Sequence, residues 1–372
     1  MAQALGVGIV GTGWGLKVQV PSFRSGGLRV AALYSRDQKR AEALAKEHGI
    51  PHAFSSVEDL AACPDVDLVS VVCPTHERCR HVLTAINASK SVLADKPFAL
   101  NASEADIMLN AARQLPTGRV ALVDFELRCV PAVRRARELV LMGEIGKVNF
   151  MNFSHFGDFG FLNDTAEPSH WTARETGGGV FSAVGTHLVD VIRYVLGIEI
   201  DRVSAVQAPM CQRDPPPTAE GLVSANLITT DGIPVHILIS GRTPGTPTES
   251  RVRIVGTIGV VEFDISTSEL KLWKADAKTD GKPVENIPPA GNGWVDVGTP
   301  ELAKRIAAAF EGKGAIGNLG DLATFRDGAI NQRVTDAVHS SAAQGSKWVD
   351  VIELNSDCSV AESPSKARKT DS

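Results

Sequence analysis

Six short apolar runs, each separated from the next by a stretch of helical periodicity, fill the first 125 residues and narrow the possible folds more than any other feature of the chain. They are GVGIV (6–10), RVAALYS (29–35), AFSS (53–56), LVSVVC (68–73), SVLA (91–94) and VALVDF (120–125), with amphipathic segments such as QKRAEALAKEHGI (38–50) and ERCRHVLTAINASK (77–90) between them. A strand with one wet face alternates polar and apolar residues. A strand that is apolar throughout needs cover on both faces, and alternating helices give that cover to a parallel sheet.

The period then changes. VNFMNFSHF (148–156), RVSAVQAPM (202–210), LVSANLITT (222–230), PVHILISG (234–241), RVRIVG (251–256), GVVEFDI (259–265) and ELKLWKA (269–275) read as strands, many alternating and joined by hairpin turns such as TTDGIP and GTIG. This pattern predicts a large, open, mostly antiparallel sheet with one covered face, hence an α+β second domain. Helices are expected at 131–147, 179–197, 300–311 and 321–343. A chain of 372 residues is too long for one ordinary core. The divisions read from the sequence are 1–125, 126–354 and a disordered polar tail over 355–372.

Thirty-eight basic against 43 acidic residues, a net charge of -5, give no surplus to attract nucleic acid or an anionic membrane. No apolar run predicts a membrane-crossing helix, and the N-terminus runs into a strand without a secretory pattern. The six cysteines (Cys63, Cys73, Cys79, Cys129, Cys211, Cys358) show no metal spacing, so reduced thiols in the cytoplasm are expected. His76 and His81, five apart, do not share a helical face, and no metal site is predicted.

GVGIVGTGWG places Gly11 and Gly13 where the first strand meets a helix. There a glycine pair permits a tight turn and lets a pyrophosphate approach the positive end of the helix. In this context the pattern predicts a Rossmann domain with a dinucleotide on Gly11, Thr12, Gly13 and Trp14. The third glycine of the fingerprint belongs at Leu16, whereas this chain has Gly15. About 20 residues on, an acid commonly holds a ribose hydroxyl. LYSRD offers Ser35 and Arg36 instead, suited to a 2′-phosphate, so NADP is favoured with NAD as the alternative. Arg36 and Asp37 could equally cap the following helix. Pro74, Thr75 and His76 in CPTHER lie at the next ligand-facing strand end, and Asp95 and Lys96 in SVLADKP at the one after. Pro97 holds Lys96 extended. Its cation could polarise a substrate oxygen, with Asp95 compensating the charge. An Asp-Lys pair facing water would look the same.

The elements GTGWG, SRDQKRAEALAKEHGI, VSVVCPTHE, AINASKSVLADKP, FELRCVPAVRRARELVLMGEIGKV and GGGVFSAVGTHLVDVIRYVLG, in that order, resemble the glucose-fructose oxidoreductase and inositol dehydrogenase family. The resemblance implies hydride exchange between NAD or NADP and a sugar, inositol or related polyol, in a homo-oligomer formed through the second-domain sheet. It matches Asp95-Lys96-Pro97 to the family's Glu-Lys-Pro and His187 to the histidine near the reacting carbon. The family aspartate four residues earlier is Ala183 here. Asp158, Asp164 and His170 are candidate substitutes. Arg128, Asp158, Trp171 and Asp190 are the substrate-side candidates, although Trp171 also fits a core position and Asp190 could simply satisfy a core His187. The glycines at 177–179 predict close passage of a ligand or of another chain segment. Ala183 leaves a second possibility, a dinucleotide-binding sensor or structural protein that does not turn over. A third is an enzyme that retains and recycles its cofactor.

Overall fold

The computed structural model describes residues 4–164, 167–211, 216–278, 280–310 and 319–354, so the expected tail and Cys358 lie outside the described residues. In the first half, strands β1 (Gly6–Val10), β2 (Arg29–Tyr34), β3 (His52–Phe54), β4 (Leu68–Val71), β5 (Ser91–Ala94) and β6 (Ala121–Val123) form one sheet in the order β3-β2-β1-β4-β5-β6. All its pairings are parallel. Every residue of β1, β4 and β5 is buried, as unbroken apolar runs require. The connecting helices are α1 (Val20–Ser25), α2 (Gln38–Glu47), α3 (Val57–Ala62), α4 (Thr75–Asn87) and α5 (Ala102–Ala112). Asp37, Ser56 and Asn101 start α2, α3 and α5 by accepting main-chain N–H groups that the first turn leaves unpaired. The strand order reverses between β1 and β4, which opens a crevice at their carboxyl ends.

The second half contributes α6 (Pro131–Leu141), β7 (Val148–Phe156), α7 (Thr186–Leu196), β8 (Ile200–Ala208), β9 (Leu222–Thr229), β10 (Pro234–Ser240), β11 (Glu249–Gly256), β12 (Gly259–Asp264), β13 (Glu269–Lys274), β14 (Glu285–Ile287), α8 (Gly298–Phe310), α9 (Phe325–Ala343) and β15 (Val349–Asp350). Among the described residues its strands run β14-β13-β12-β11-β7-β10-β9-β8-β15, antiparallel except for β7 beside β10. The sequence pattern missed β14 and β15, because edge strands of three and two residues are too short to show a period. Alternate residues of β9 and β11, such as Val223, Ala225, Val252 and Ile254, enter a core shared with α6, α7 and α9.

Two findings depart from the sequence pattern. The spacing in α7 predicts one buried stripe, yet all eleven residues are buried, so its polar members need partners. The stretch Arg174–Leu196 has the length and composition of a membrane span, and its apolar window instead lies buried inside the protein. Helices from the end of the chain also complete the first sheet's packing. Leu302, Ala303 and Ile306 of α8 join Val7 and Ile9, and Phe325 of α9 meets Phe98 edge-on at 4.8 Å.

Candidate active site

The turn after β1 assigns its three glycines separate tasks. Gly11 has φ 144°, and a Cβ there would lie 2.4 Å from the Val72 carbonyl oxygen. A Cβ on Gly13 would meet nothing within 4 Å, so that position faces open space where a ligand can approach the main chain. A Cβ on Gly15 would come within 2.8 Å of Ile9 and 2.9 Å of Val72. Close helix–strand packing, the usual work of the third glycine, is therefore done by Gly15, one position early. A wide turn over Gly15–Gln19, in which Val20 N–H donates to the Gly15 carbonyl, absorbs the shift.

Above this turn lies a cleft of about 540 Å³. Gly11, Thr12, Gly13 and Trp14 form one wall, Ser35 and Arg36 one end, and Pro74, Thr75 and Asp95 the other side. His76 is exposed on the first turn of α4 and does not line the cleft, whereas Glu77 and Arg78 do. Asp37 caps α2, and Arg36 leans across the opening to Glu77 at 3.5 Å with most of its side chain in solvent. Arg40, unnoticed in the sequence, lines the same end.

A second cavity of about 420 Å³ adjoins it, sharing Trp14, Asp95 and Trp171. Lys96 and His187 both line this second space. Lys96 follows β5 and is joined to Pro97 by a cis bond. Its ammonium donates to the Ala183 carbonyl oxygen at 3.0 Å. Ala183 thus holds the lysine through the main chain, although its methyl cannot carry a proton. Asp95 does not simply neutralise Lys96. Its carboxylate accepts the Lys96 amide at 2.8 Å and lies 3.6 Å from the buried Arg78 guanidinium. Arg78 also donates to the carbonyls of Cys73 and Pro97, so α4 fixes the Asp-Lys-Pro turn.

His187 is buried, with Phe125 and Trp294 edge-on at 6.0 and 5.0 Å. Burial, then Lys96 and His155, hold its pKa well below the ordinary value, so the ring is neutral. A carboxylate does reach it. Glu126, in the turn Glu126–Cys129 after β6, places Oε2 3.6 Å from His187 Nδ1 and lines the same cavity. Burial and the neighbouring Asp124 raise the Glu126 pKa well above the ordinary value. Asp124 accepts from buried Gln19 at 2.8 Å, and burial with Asp95 nearby pushes its pKa up to about 7. His155, whose Nδ1 pairs with Ser250 Oγ at 2.7 Å, completes the polar lining with Asn292 and Thr248. Among the described residues, His187 Nδ1, His155 Nε2, Trp294 Nε1 and Asp124 Oδ1 are buried without a hydrogen-bond partner.

Three substrate-side candidates stand elsewhere. Asp158 is exposed, because Gly157 and Phe159 continue the pairing beside β10 and the two-residue period turns Asp158 outward. Arg128 and Asp190 line neither cavity; they form a buried bidentate pair at 2.8 and 2.6 Å, and Arg128 also binds Asp327 at 2.9 Å. Asp190 therefore does not satisfy His187. The suggested substitutes for the family aspartate do not reach it either: Asp164 is exposed near Arg242, and His170 lines the first cleft. The glycines at 177–179 admit chain segments, since a Cβ on each would strike Thr75, the carbonyls of residues 170 and 171, or the Glu220 carboxylate. His52, Cys63 and Asp65 bring ligand atoms within 4.8 Å of one another but line neither cavity, and Asp65 already pairs with His52 at 2.8 Å.

Comparison with known proteins places this arrangement. Residues 5–123 match the model of an oxidoreductase family with an NAD-binding Rossmann fold, and residues 133–262 match the GFO/IDH/MocA C-terminal domain. An uncharacterized oxidoreductase of Synechocystis is 28% identical over 249 residues, covering 63% of this chain and 65% of that protein. Glucose-fructose oxidoreductase domain-containing protein 2 of Xenopus tropicalis is 26% identical over 95% of this chain and 94% of its own length. The structure of a levoglucosan dehydrogenase in complex with NADH and levoglucosan superposes with a TM-score of 0.83 at 23% identity, covering 94% of this chain and 100% of the other, which is a likeness of fold. With both domain models matched in order and the predicted two-sheet architecture present, the chain belongs to the Gfo/Idh/MocA family of NAD-binding oxidoreductases.

Proposed function

We propose that the protein is an NADP-preferring oxidoreductase that interconverts a secondary alcohol and its ketone on a sugar, inositol or related polyol. The observation that carries this reading is the adjacency of two cavities: the cleft over the glycine turn shares Trp14, Asp95 and Trp171 with a space lined by Lys96 and His187. The cleft fits the cofactor on its own geometry, because only a residue without Cβ leaves the space over Gly13 open. Bound there, the nicotinamide supplies the hydride exchange. Lys96 polarises the substrate oxygen and His187 exchanges its proton. Trp171 and Trp294 offer apolar faces to a ring whose hydroxyls meet His155, Asn292 and Thr248. Five described cysteines are unpaired, which suits the cytoplasm. Exposed Phe150 and Val206, on strands of the second sheet, offer a surface for self-association.

The test is turnover of NADP⁺ and NADPH against a panel of sugars, inositols and their ketones. Tight NADPH binding with no turnover on the panel would favour the sensor that Ala183 allows. NADP preference is assigned to Arg36, assisted by Arg40 at the same end. The Arg36–Glu77 pair is exposed and worth little, so giving it up for a 2′-phosphate costs little. Arg36→Ala is expected to weaken NADPH binding about tenfold, or about 1.4 kcal/mol, with NADH affinity nearly unchanged, as read by calorimetry. Equal loss for both coenzymes would place Arg36 on the adenine instead.

A further inference from the structure

We infer that Glu126 is the positioning residue for His187: its carboxyl proton, directed at Nδ1, keeps the imidazole in the Nε2–H form and exchanges with it during turnover. The inference rests on the reading of His187 as the group that exchanges the substrate proton. Four observations support it. The Glu126 Oε2 and His187 Nδ1 atoms are 3.6 Å apart, a separation of the kind that tightens when substrate closes a site. Nδ1 is buried and has no other partner. Gly298 packs against the stem of Glu126, since a Cβ there would lie 3.0 Å from both Glu126 Cγ and the Glu126 carbonyl oxygen, so the side chain is held in place. Asp190, the acid spaced to share a helical face with His187, is bound to Arg128.

The protonation states follow from the surroundings. Asp124 and Asp95 face Glu126 as like charges, Lys96 opposes them, and burial favours the neutral carboxyl. Lys96 and His155 face His187 and, with burial, favour the neutral ring. Two neutral groups then share the contact, with Glu126 as donor and Nδ1 as acceptor. This leaves Nε2 to carry the ring proton that is delivered to the substrate. In ketone reduction the substrate oxygen takes the Nε2 proton while Nδ1 takes the Glu126 proton. The imidazole ends neutral with its tautomer reversed, and Glu126 ends as a carboxylate. Alcohol oxidation runs the same exchange backwards. A carboxyl group from the turn after β6 thereby faces the imidazole in a chain where the family aspartate is replaced by Ala183.

Imidazole-¹⁵N NMR of the full chain with NADPH present tests this in the wild type, Glu126→Gln and Glu126→Ala. The wild type is expected to show His187 neutral with its proton on Nε2. Glu126→Gln, whose amide can still donate, keeps that tautomer, and Glu126→Ala shifts the proton toward Nδ1. A wild-type ring protonated on Nδ1 overturns the inference, and so does a Glu126→Ala ring with the wild-type tautomer. If the alanine variant does not fold, Glu126→Leu, which keeps the volume and removes the donor, is read in its place, and a leucine-variant ring with the wild-type tautomer overturns the inference. NADPH binding, followed by calorimetry on the same protein, separates this outcome from failure of the functional reading: no binding refutes the dinucleotide site, whereas binding with the wrong tautomer refutes only the role of Glu126.

Discussion

Lys96→Ala is expected to lower the turnover number for alcohol-dependent NADP⁺ reduction by ~10²–10⁴-fold while NADPH still binds. The ammonium is fixed from both ends, by the Ala183 carbonyl at 3.0 Å and by the turn that Arg78 clamps. A donor so placed needs no reorganisation as charge builds on the substrate oxygen. Removing one preorganised donor or one acid–base group costs ~10²–10⁴-fold in comparable sites. Lys96→Arg should not rescue, because a planar fork cannot occupy the place of a compact ammonium. The residual activity should also move along the pH axis. Lys96 pulls the pKa of Asp124 and Glu126 down, so without it both carboxyls hold their protons to higher pH, and for Asp124 that means above about 7. Any limb of the rate profile set by these acids shifts alkaline. A turnover number equal to wild type would remove Lys96 from the reaction.

What could be read from the chain beforehand was local. The unbroken apolar runs of β1, β4 and β5 specify a doubly covered sheet, and a glycine turn beside such a strand specifies the crevice. Lys96 stood out because a cation at the end of an apolar strand requires an explanation. Glu126 carries the same signal in VALVDFELR, and weighing it equally would have found it. His155, Asn292 and Trp294 gave none. They join His187 only through the second sheet and the loop before α8, Trp294 lying 107 positions further along the chain, and their local patterns are those of ordinary strand and loop residues. Asp190 shows how spacing misleads. Three residues from His187 on a helix, it could share a face with it. In a helix buried all round, every polar side chain is instead directed by what packs there, and Arg128 arrives from 62 residues away.

Arg128→Met should cost about 3–5 kcal/mol in urea unfolding at neutral pH, the usual effect of removing one partner from a buried ion pair. The charges are closely balanced. Arg128 and Arg193 serve Asp190 and Asp327, and Arg193 also binds Glu199 at 2.5 Å. Without Arg128, Arg193 alone faces three carboxylates, two of them at 3.9 and 3.6 Å. Burial by itself would raise Asp327, yet Arg128 and Arg193 hold its carboxyl below the ordinary range. That share of stability is therefore present above the unfolded carboxyl value of about 4 and is lost as pH falls below it. The double change Arg128→Met with Asp190→Leu should recover much of the loss, because it removes both buried charges and leaves Arg193 with Asp327. Activity should not recover with it. Arg128 belongs to the turn that carries Glu126, and Asp190 lies one helical turn beyond His187, so their bidentate contact holds the carboxyl opposite the imidazole. A stable double variant with wild-type turnover would show that the pair holds the fold and has no part in aligning the site.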